Sequence, residues 1–155
     1  MLAVLAVMGI LFGVAVVGFN HIGRNSRLRT AGRIVGQQLD LARQLAMAQR
    51  RMYAVEFAPH PEPERDELRV YYKDTETNER VTVGKWIELP PGIEFGAPPP
   101  PYDTLLPPDQ EGIKFKPTGS TENSTLTFQI HDRDTGRYRE VKVYQVTGHT
   151  TVKVP

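Results

Sequence analysis

The sequence predicts an α+β protein: a long N-terminal α-helix, transmembrane over its first half, lying on an antiparallel β-sheet head. Three observations carry this. The first nineteen residues are apolar throughout, an apolar stripe at helical spacing runs on to residue 52, and short β-rich runs separated by turn signals fill the rest. A chain of 155 residues has room for one globular head plus an appendage. The expected division is a transmembrane helix over 1–22, its amphipathic continuation over 23–52, and a head over 53–155 with loops at 58–67 and 96–112.

Residues 1–19, MLAVLAVMGILFGVAVVGF, hold no charge and no strongly polar side chain. As a helix they reach about 28 Å, close to the thickness of a hydrocarbon core. Eleven of them are Leu, Ile, Val or Phe, and insertion gains roughly 3–7 kcal/mol. A signal peptide cleaved near Val16 and Gly18 is the competing reading. It fits less well, because no basic residue precedes the run and the run exceeds a usual signal core. Gly9 and Gly13 form a G-x-x-x-G step that lets a neighbouring helix approach closely. Membrane helices also tolerate glycine for no such reason.

The helix is expected to continue beyond the bilayer, because no proline occurs before Pro59. Apolar residues recur at Leu28, Ala31, Ile34/Val35, Leu39, Ala42, Leu45 and Ala48/Met52, the three- and four-residue steps of one helical stripe. Most of the arginines fall off that stripe. A helix of about 50 residues spans about 75 Å, and its second half needs an apolar surface that only the following residues can supply.

Those residues read as strands at 53–57, 68–72, 81–83, 86–89, 93–95, 113–115, 125–130, 139–144 and 151–154. Leu126, Phe128 and Ile130 share one face, as do Val141 and Val143, so each strand is expected to bury one side and solvate the other. Turns are signalled at Pro90–Gly92, Pro117–Gly119, Asp134–Gly136 and Thr147–Gly148. The proline-rich stretches at 59–66 and 96–112 cannot pair inside a sheet and read as surface loops, with partner binding as the sharper alternative.

Charge is unevenly distributed. Residues 20–52 hold seven arginines and one acid, Asp40. Subtracting these from nineteen bases and eighteen acids leaves twelve and seventeen beyond residue 52, a net charge of −5. Without cysteine there is no disulfide framework and no thiolate metal site. His21, His60, His131 and His149 lie in unrelated segments with no ligand spacing. Asp132-Arg-Asp134-Thr-Gly136 has alternate carboxylates, as a calcium loop does, but lacks a third ligand before the glycine and reads as a hairpin turn. No nucleophile elbow, P-loop or dinucleotide fingerprint occurs. The residues therefore give no support to catalysis, and no cofactor is implied.

The run Leu2-Ala-Val-Leu-Ala-Val-Met-Gly9-Ile-Leu-Phe-Gly13 resembles the membrane half of the N-terminal signature shared by type IV pilins and type II secretion pseudopilins. Leu39-Asp-Leu-Ala-Arg-Gln-Leu-Ala-Met-Ala48 resembles the L-x-x-A-R-x-x-A stretch of the GspH/FimT group of minor pseudopilins. Ile113-Lys-Phe-Lys-Pro-Thr-Gly119 is similar to that group's I-x-F-x-P-x-G motif, which marks Phe115, Pro117 and Gly119. Val146-Thr-Gly148 is similar to its terminal T-G turn, which marks Gly148. Singly these motifs are weak. In this order, over nearly the whole chain, they are specific.

The resemblance implies a type IV pilin-like fold and a structural, non-enzymatic subunit of a type II secretion pseudopilus, anchored in the bacterial inner membrane with a periplasmic head. Its implied partners are other pseudopilins or pilins near a fibre tip and an inner-membrane assembly platform. Gly9, Gly13, Leu28, Val35, Leu39, Ala42 and Leu45 are the expected helix-packing and assembly residues. Family precursors carry a basic leader followed by G-F-T-L-x-E, whose glutamate is absent here, so upstream codons supplying that signature are expected. A basic leader would also resolve a topology conflict, since an arginine-rich segment after an unflanked anchor otherwise prefers the cytoplasm. Two other readings stand beside this one. The first is a type IV pilus minor pilin of the FimT/FimU kind, acting in pilus assembly or DNA uptake. The second is a stand-alone membrane-anchored β-domain. DNA capture by relatives uses a basic C-terminal G-R-x-R element; here the matching stretch is Gly148-His149-Thr150-Thr151, with only Lys142 and Lys153 nearby, which argues against nucleic acid.

Overall fold

A computed structural model describes residues 2–58, 65–74, 77–96, 112–122 and 124–153, with side chains from Ser26 onward. The helical stripe is realised as one unbroken element, α1 (Leu2–Gln49), about 72 Å long at the standard rise. It passes through the polar Asn20–Gly23 patch without interruption. Among the described residues no helix is long and apolar enough to cross a membrane. The expected span over 1–22, with Gly9 and Gly13, lies outside the described side chains.

Arg50 ends the helix. Its φ of 51° is left-handed, the conformation that glycine usually supplies just past a helix C-terminus. The chain reverses there, and the Tyr53 hydroxyl donates to Gln49 Oε1 at 2.6 Å. Met52 therefore falls beyond the helix, and the buried stripe closes at Ala46 rather than running on to Ala48 and Met52, both of which are exposed.

The head is built from β1 (Tyr53–Ala58), β2 (Glu67–Lys73), β3 (Arg80–Glu88), β4 (Ile93–Gly96), β5 (Ile113–Phe115), β6 (Leu126–Asp132), β7 (Tyr138–Val143) and β8 (Thr150–Lys153). They form two four-stranded sheets, ordered β3-β2-β1-β5 and β4-β6-β7-β8, with every pairing antiparallel. The runs at 81–83 and 86–89, expected as separate strands, are one strand. The register steps from Leu68↔Ile87 to Val70↔Val83, and Gly84, at φ 87°, takes up the extra length in a bulge.

The alternation expected along β6 holds on one face only. Phe128 and Ile130 are buried, and so are Thr127 and Gln129 on the opposite side. β6 is a central strand, and the longer side chains of Lys142 and Glu140 flank Thr127 and Gln129 across the pairing. The four expected turns form at the expected residues. Ile93 N–H donates to Pro90 O, Gly119 N–H to Lys116 O, Gly136 N–H to Asp132 O and Gly148 N–H to Tyr144 O.

One core joins helix and sheets. Leu28, Ala31, Val35, Leu39, Ala42 and Ala46 are buried with Val55, Leu68, Val70, Ile113, Phe115, Phe128, Ile130, Val141 and Val143. The sheets meet at an aromatic cluster, where Phe57 of β1 lies 5.1 Å from Phe95 of β4 and 5.6 Å from Phe128 of β6, both edge-on. Buried Asp66 ties the same seam. Its carboxylate accepts from Phe95 N–H at 2.7 Å and its carbonyl from Leu89 N–H at 2.9 Å.

Candidate assembly surface

The expected packing residues divide by position. Leu28, Val35, Leu39 and Ala42 are buried against the chain's own sheets, and Leu45 is half-buried beside them. These side chains join stalk to head inside one molecule. The helix face left to solvent carries Ser26, Arg29, Arg33, Gln37, Asp40 and Gln44, with Leu41 beside them. Arg27 reaches from the helix to Asp134 in the β6–β7 turn, at 3.5 Å. Both partners are about half exposed, so the pair contributes about 0–1 kcal/mol.

A second pair of glycines, Gly32 and Gly36, sits on the described helix. A Cβ added at Gly32 would stand 3.0 Å from Val152 Cγ1, and one at Gly36 would stand 3.8 Å from Val152 Cγ2. The two glycines make the shallow on the helix into which β8 settles. Their G-x-x-x-G spacing is the same signal that drew attention to Gly9 and Gly13, but here it serves a strand of the same chain.

Three motifs far apart in sequence converge where the helix nears its end. Gly119, at φ 82°, closes the turn after β5, and Gly148, at φ 60°, closes the turn before β8. A Cβ on Gly148 would come closer to the Gly119 carbonyl oxygen than the 3.0 Å that Cβ atoms keep, and would lie 3.3 Å from Arg43 Cδ. One on Gly119 would lie 2.7 Å from Met47 Sδ and 3.5 Å from Arg43 Nε. Each turn thus needs glycine twice: for its left-handed backbone, and for space that the Gly119 carbonyl takes at Gly148 and the Met47 and Arg43 side chains of α1 take at Gly119. Phe115 is buried in β5, Pro117 is exposed in the turn, and a bridge from Phe115 to Thr121 closes the loop. Arg43 lies in the slot between the two turns, and its Nε is buried with no hydrogen-bond acceptor.

Other polar groups are spent on structure. The Asp132 carboxylate accepts from Asp134 N–H at 3.0 Å and Thr135 N–H at 3.2 Å, so the carboxylates at 132–136 shape a hairpin turn. Among the described residues no three His, Asp or Glu side chains come together as a metal site. The His131 ring stacks on Tyr138 at 5.7 Å, His149 is exposed in the last turn, and His21 and His60 lie outside the described side chains. On the outer face of the first sheet, Glu56 accepts from Arg69 at 2.9 Å and Arg80 at 3.1 Å, while Arg69 lies 4.1 Å over Trp86. Burial, then the neighbouring charge of Tyr72, holds the Tyr53 phenol above its ordinary range, against a smaller lowering by Arg51. Lys142 lies 5.2 Å over Tyr144, and Lys153 stands opposite Glu140 in the β7–β8 register.

No family model matches the sequence, and no curated protein matches it. Solved structures do. The minor pseudopilin EpsH of the type 2 secretion system of Vibrio cholerae aligns with a TM-score of 0.61 at 13% identity, over 83% of this chain and 98% of that one. The type IV minor pilin FimU of Pseudomonas aeruginosa aligns with a TM-score of 0.57 at 14% identity, over 84% of this chain and 90% of that one. Likeness at this identity is likeness of fold. Among the described residues, one long helix laid across antiparallel sheets is the type IV pilin-like α+β fold.

Proposed function

We propose that this chain is a structural minor subunit of a type II secretion pseudopilus, held in the inner membrane by its N-terminal helix and carried near the fibre tip. The observation that supports this best is one helix, Leu2–Gln49, whose second half buries one face against its own head in a fold shared with the minor pseudopilin EpsH. A helix used that way presents its apolar opening to lipid or to other helices. Gly9 and Gly13 then give those helices close approach, and the head is the part displayed outside the bilayer. The chain works by packing, with no catalytic step and no cofactor. The fold shared with FimU supports the type IV minor pilin as the second reading.

The test follows a tagged chain in its own cells. The expected result is a pool that alkaline carbonate does not extract from membranes, together with co-purification with other pilin-like subunits in sheared fibres. A chain released by carbonate and absent from every fibre fraction refutes the proposal. Recovery with extended pili instead of secretion fibres favours the second reading.

A further inference from the structure

We propose that the basic segment of α1 over residues 24–33 binds anionic phospholipid headgroups, with Arg29 and Arg33 as its two outward cations, and so holds the head at a fixed height. This rests on the reading of residues 1–19 as a membrane anchor and adds to it a site and a lipid class.

Sequence and helix geometry put these cations at headgroup level. Residues 1–39 contain Arg24, Arg27, Arg29 and Arg33 and no acid, the nearest being Asp40. Because α1 is unbroken from Leu2 to Gln49, the four arginines stand at set heights beyond Phe19, about 8, 12, 15 and 21 Å along the axis. The headgroup layer occupies about 5–8 Å outside the hydrocarbon core, and its charge is felt for about 8–10 Å more at ordinary salt. Side chains on a helix tilt back toward its N-terminus, and a long arginine stem extends that reach toward the bilayer.

The two outward cations are not spent inside the molecule. Arg27 faces Asp134 at 3.5 Å, but no described carboxylate pairs with Arg29 or Arg33. Both are exposed, away from the stripe of Leu28, Ala31 and Val35 that is buried under the head. Four residues apart, they share one patch of helix surface, where like charges repel and a bound anion offsets the repulsion. Position and charge together name the occupant. An anionic headgroup lies at the level of these side chains with the opposite sign, and basic clusters beside a membrane span are drawn to such surfaces. A zwitterionic headgroup at the same level has no net charge to offer. When the helix leaves the bilayer for a fibre, the same face becomes available to a neighbouring subunit.

Full-length Phe19→Trp chains are reconstituted in vesicles of equal parts phosphatidylcholine and phosphatidylglycerol, with bromine high on the acyl chains of one lipid or the other. Bromine quenches tryptophan on contact, so the two quenching levels report which lipid sits beside residue 19. The parent chain gives the signal of Trp86 alone. Phosphatidylglycerol should be favoured by about threefold or more at low salt, and the preference should vanish in about 1 M sodium chloride, where the screening length is about 3 Å. Arg29→Gln combined with Arg33→Gln should lose at least half of the preference, whereas Arg29→Lys with Arg33→Lys should keep it. Both positions face solvent, so the melting temperatures of these variants should match the parent's. Equal quenching by the two lipids, a preference that salt leaves untouched, a glutamine pair that retains it or a lysine pair that loses it overturns the proposal and leaves the anchor standing. Quenching by neither lipid means that residue 19 is not in a bilayer, and the reading beneath falls with it.

Discussion

Replacing Gly148 with alanine tests whether the three motifs meet because two turns must share one space. Two costs combine at that position. The φ of 60° places an alanine in the left-handed region, at about 1–2 kcal/mol. The new methyl also enters the space of the Gly119 carbonyl and stands 3.3 Å from Arg43 Cδ. Backbone cannot rotate away as a side chain can, so the turn itself must shift, and overpacking of this kind costs about 1–3 kcal/mol. Gly148→Ala should therefore lose about 2–5 kcal/mol. Gly136 supplies the control. Its φ is 64°, and a Cβ there meets nothing within 4 Å, so Gly136→Ala should lose only the backbone part, about 1–2 kcal/mol. Urea unfolding of the full chain in detergent, followed by circular dichroism and by fluorescence of Trp86, the sole tryptophan, gives both values. If the two variants fall within 0.5 kcal/mol, close approach is not what Gly148 supplies, and the convergence argument fails.

Gly36→Ala should stabilise by about 0.5–1 kcal/mol, because the interior of a helix prefers alanine and the added methyl makes only an ordinary 3.8 Å contact with Val152. Gly32→Leu should instead cost about 1–3 kcal/mol by pushing β8 off the helix, read as faster hydrogen exchange of β8 amides. Asp66→Ala should lose about 1–3 kcal/mol in urea unfolding, since it strands the part-buried Phe95 N–H. The Tyr53 phenol is raised above 10, so its contribution to stability is complete below pH 10 and disappears as pH climbs through the folded-state value. Tyr53→Phe should flatten that alkaline decline in a series of urea midpoints, and an unchanged decline would remove the assignment.

The fold was largely legible because its two periodicities are clean. The steps through Leu28, Ala31, Val35, Leu39 and Ala42 name the face that is in fact buried, and glycine and proline mark all four turns. What remained hidden depends on tertiary geometry. Gly84 reads as a strand break because glycine has no side chain to pack, yet a bulge lets it carry β3 through. Arg50 reads as one more exposed arginine, and only the reversal into β1 forces it left-handed. Gly32 and Gly36 fall on the helical pattern without contradicting it, and their role needs Val152, 116 residues beyond Gly36, to be seen. The convergence of Arg43, Gly119 and Gly148 has no local signature at all, since each motif makes sense alone.

If the chain is the fibre subunit proposed above, the sharing of the helix between head and fibre constrains what each part of the chain can do. Because Leu28, Ala31, Val35, Leu39, Ala42 and Ala46 are buried under the chain's own sheets, they cannot also serve a neighbour without unfolding the head. On the proposed fibre reading, intermolecular packing falls to residues 2–25 and to the outward face holding Arg29, Arg33 and Gln37. The first is apolar over 2–19 and nonspecific in partner; the second is charged and directional. Apolar area supplies most of the association energy, while charges chiefly fix register and exclude wrong neighbours. A subunit divided in this way can hold a shared bundle through one segment and select its place in it through the other. Exchanging the arginines for lysines should then leave membrane retention intact while loosening the order of subunits along the fibre.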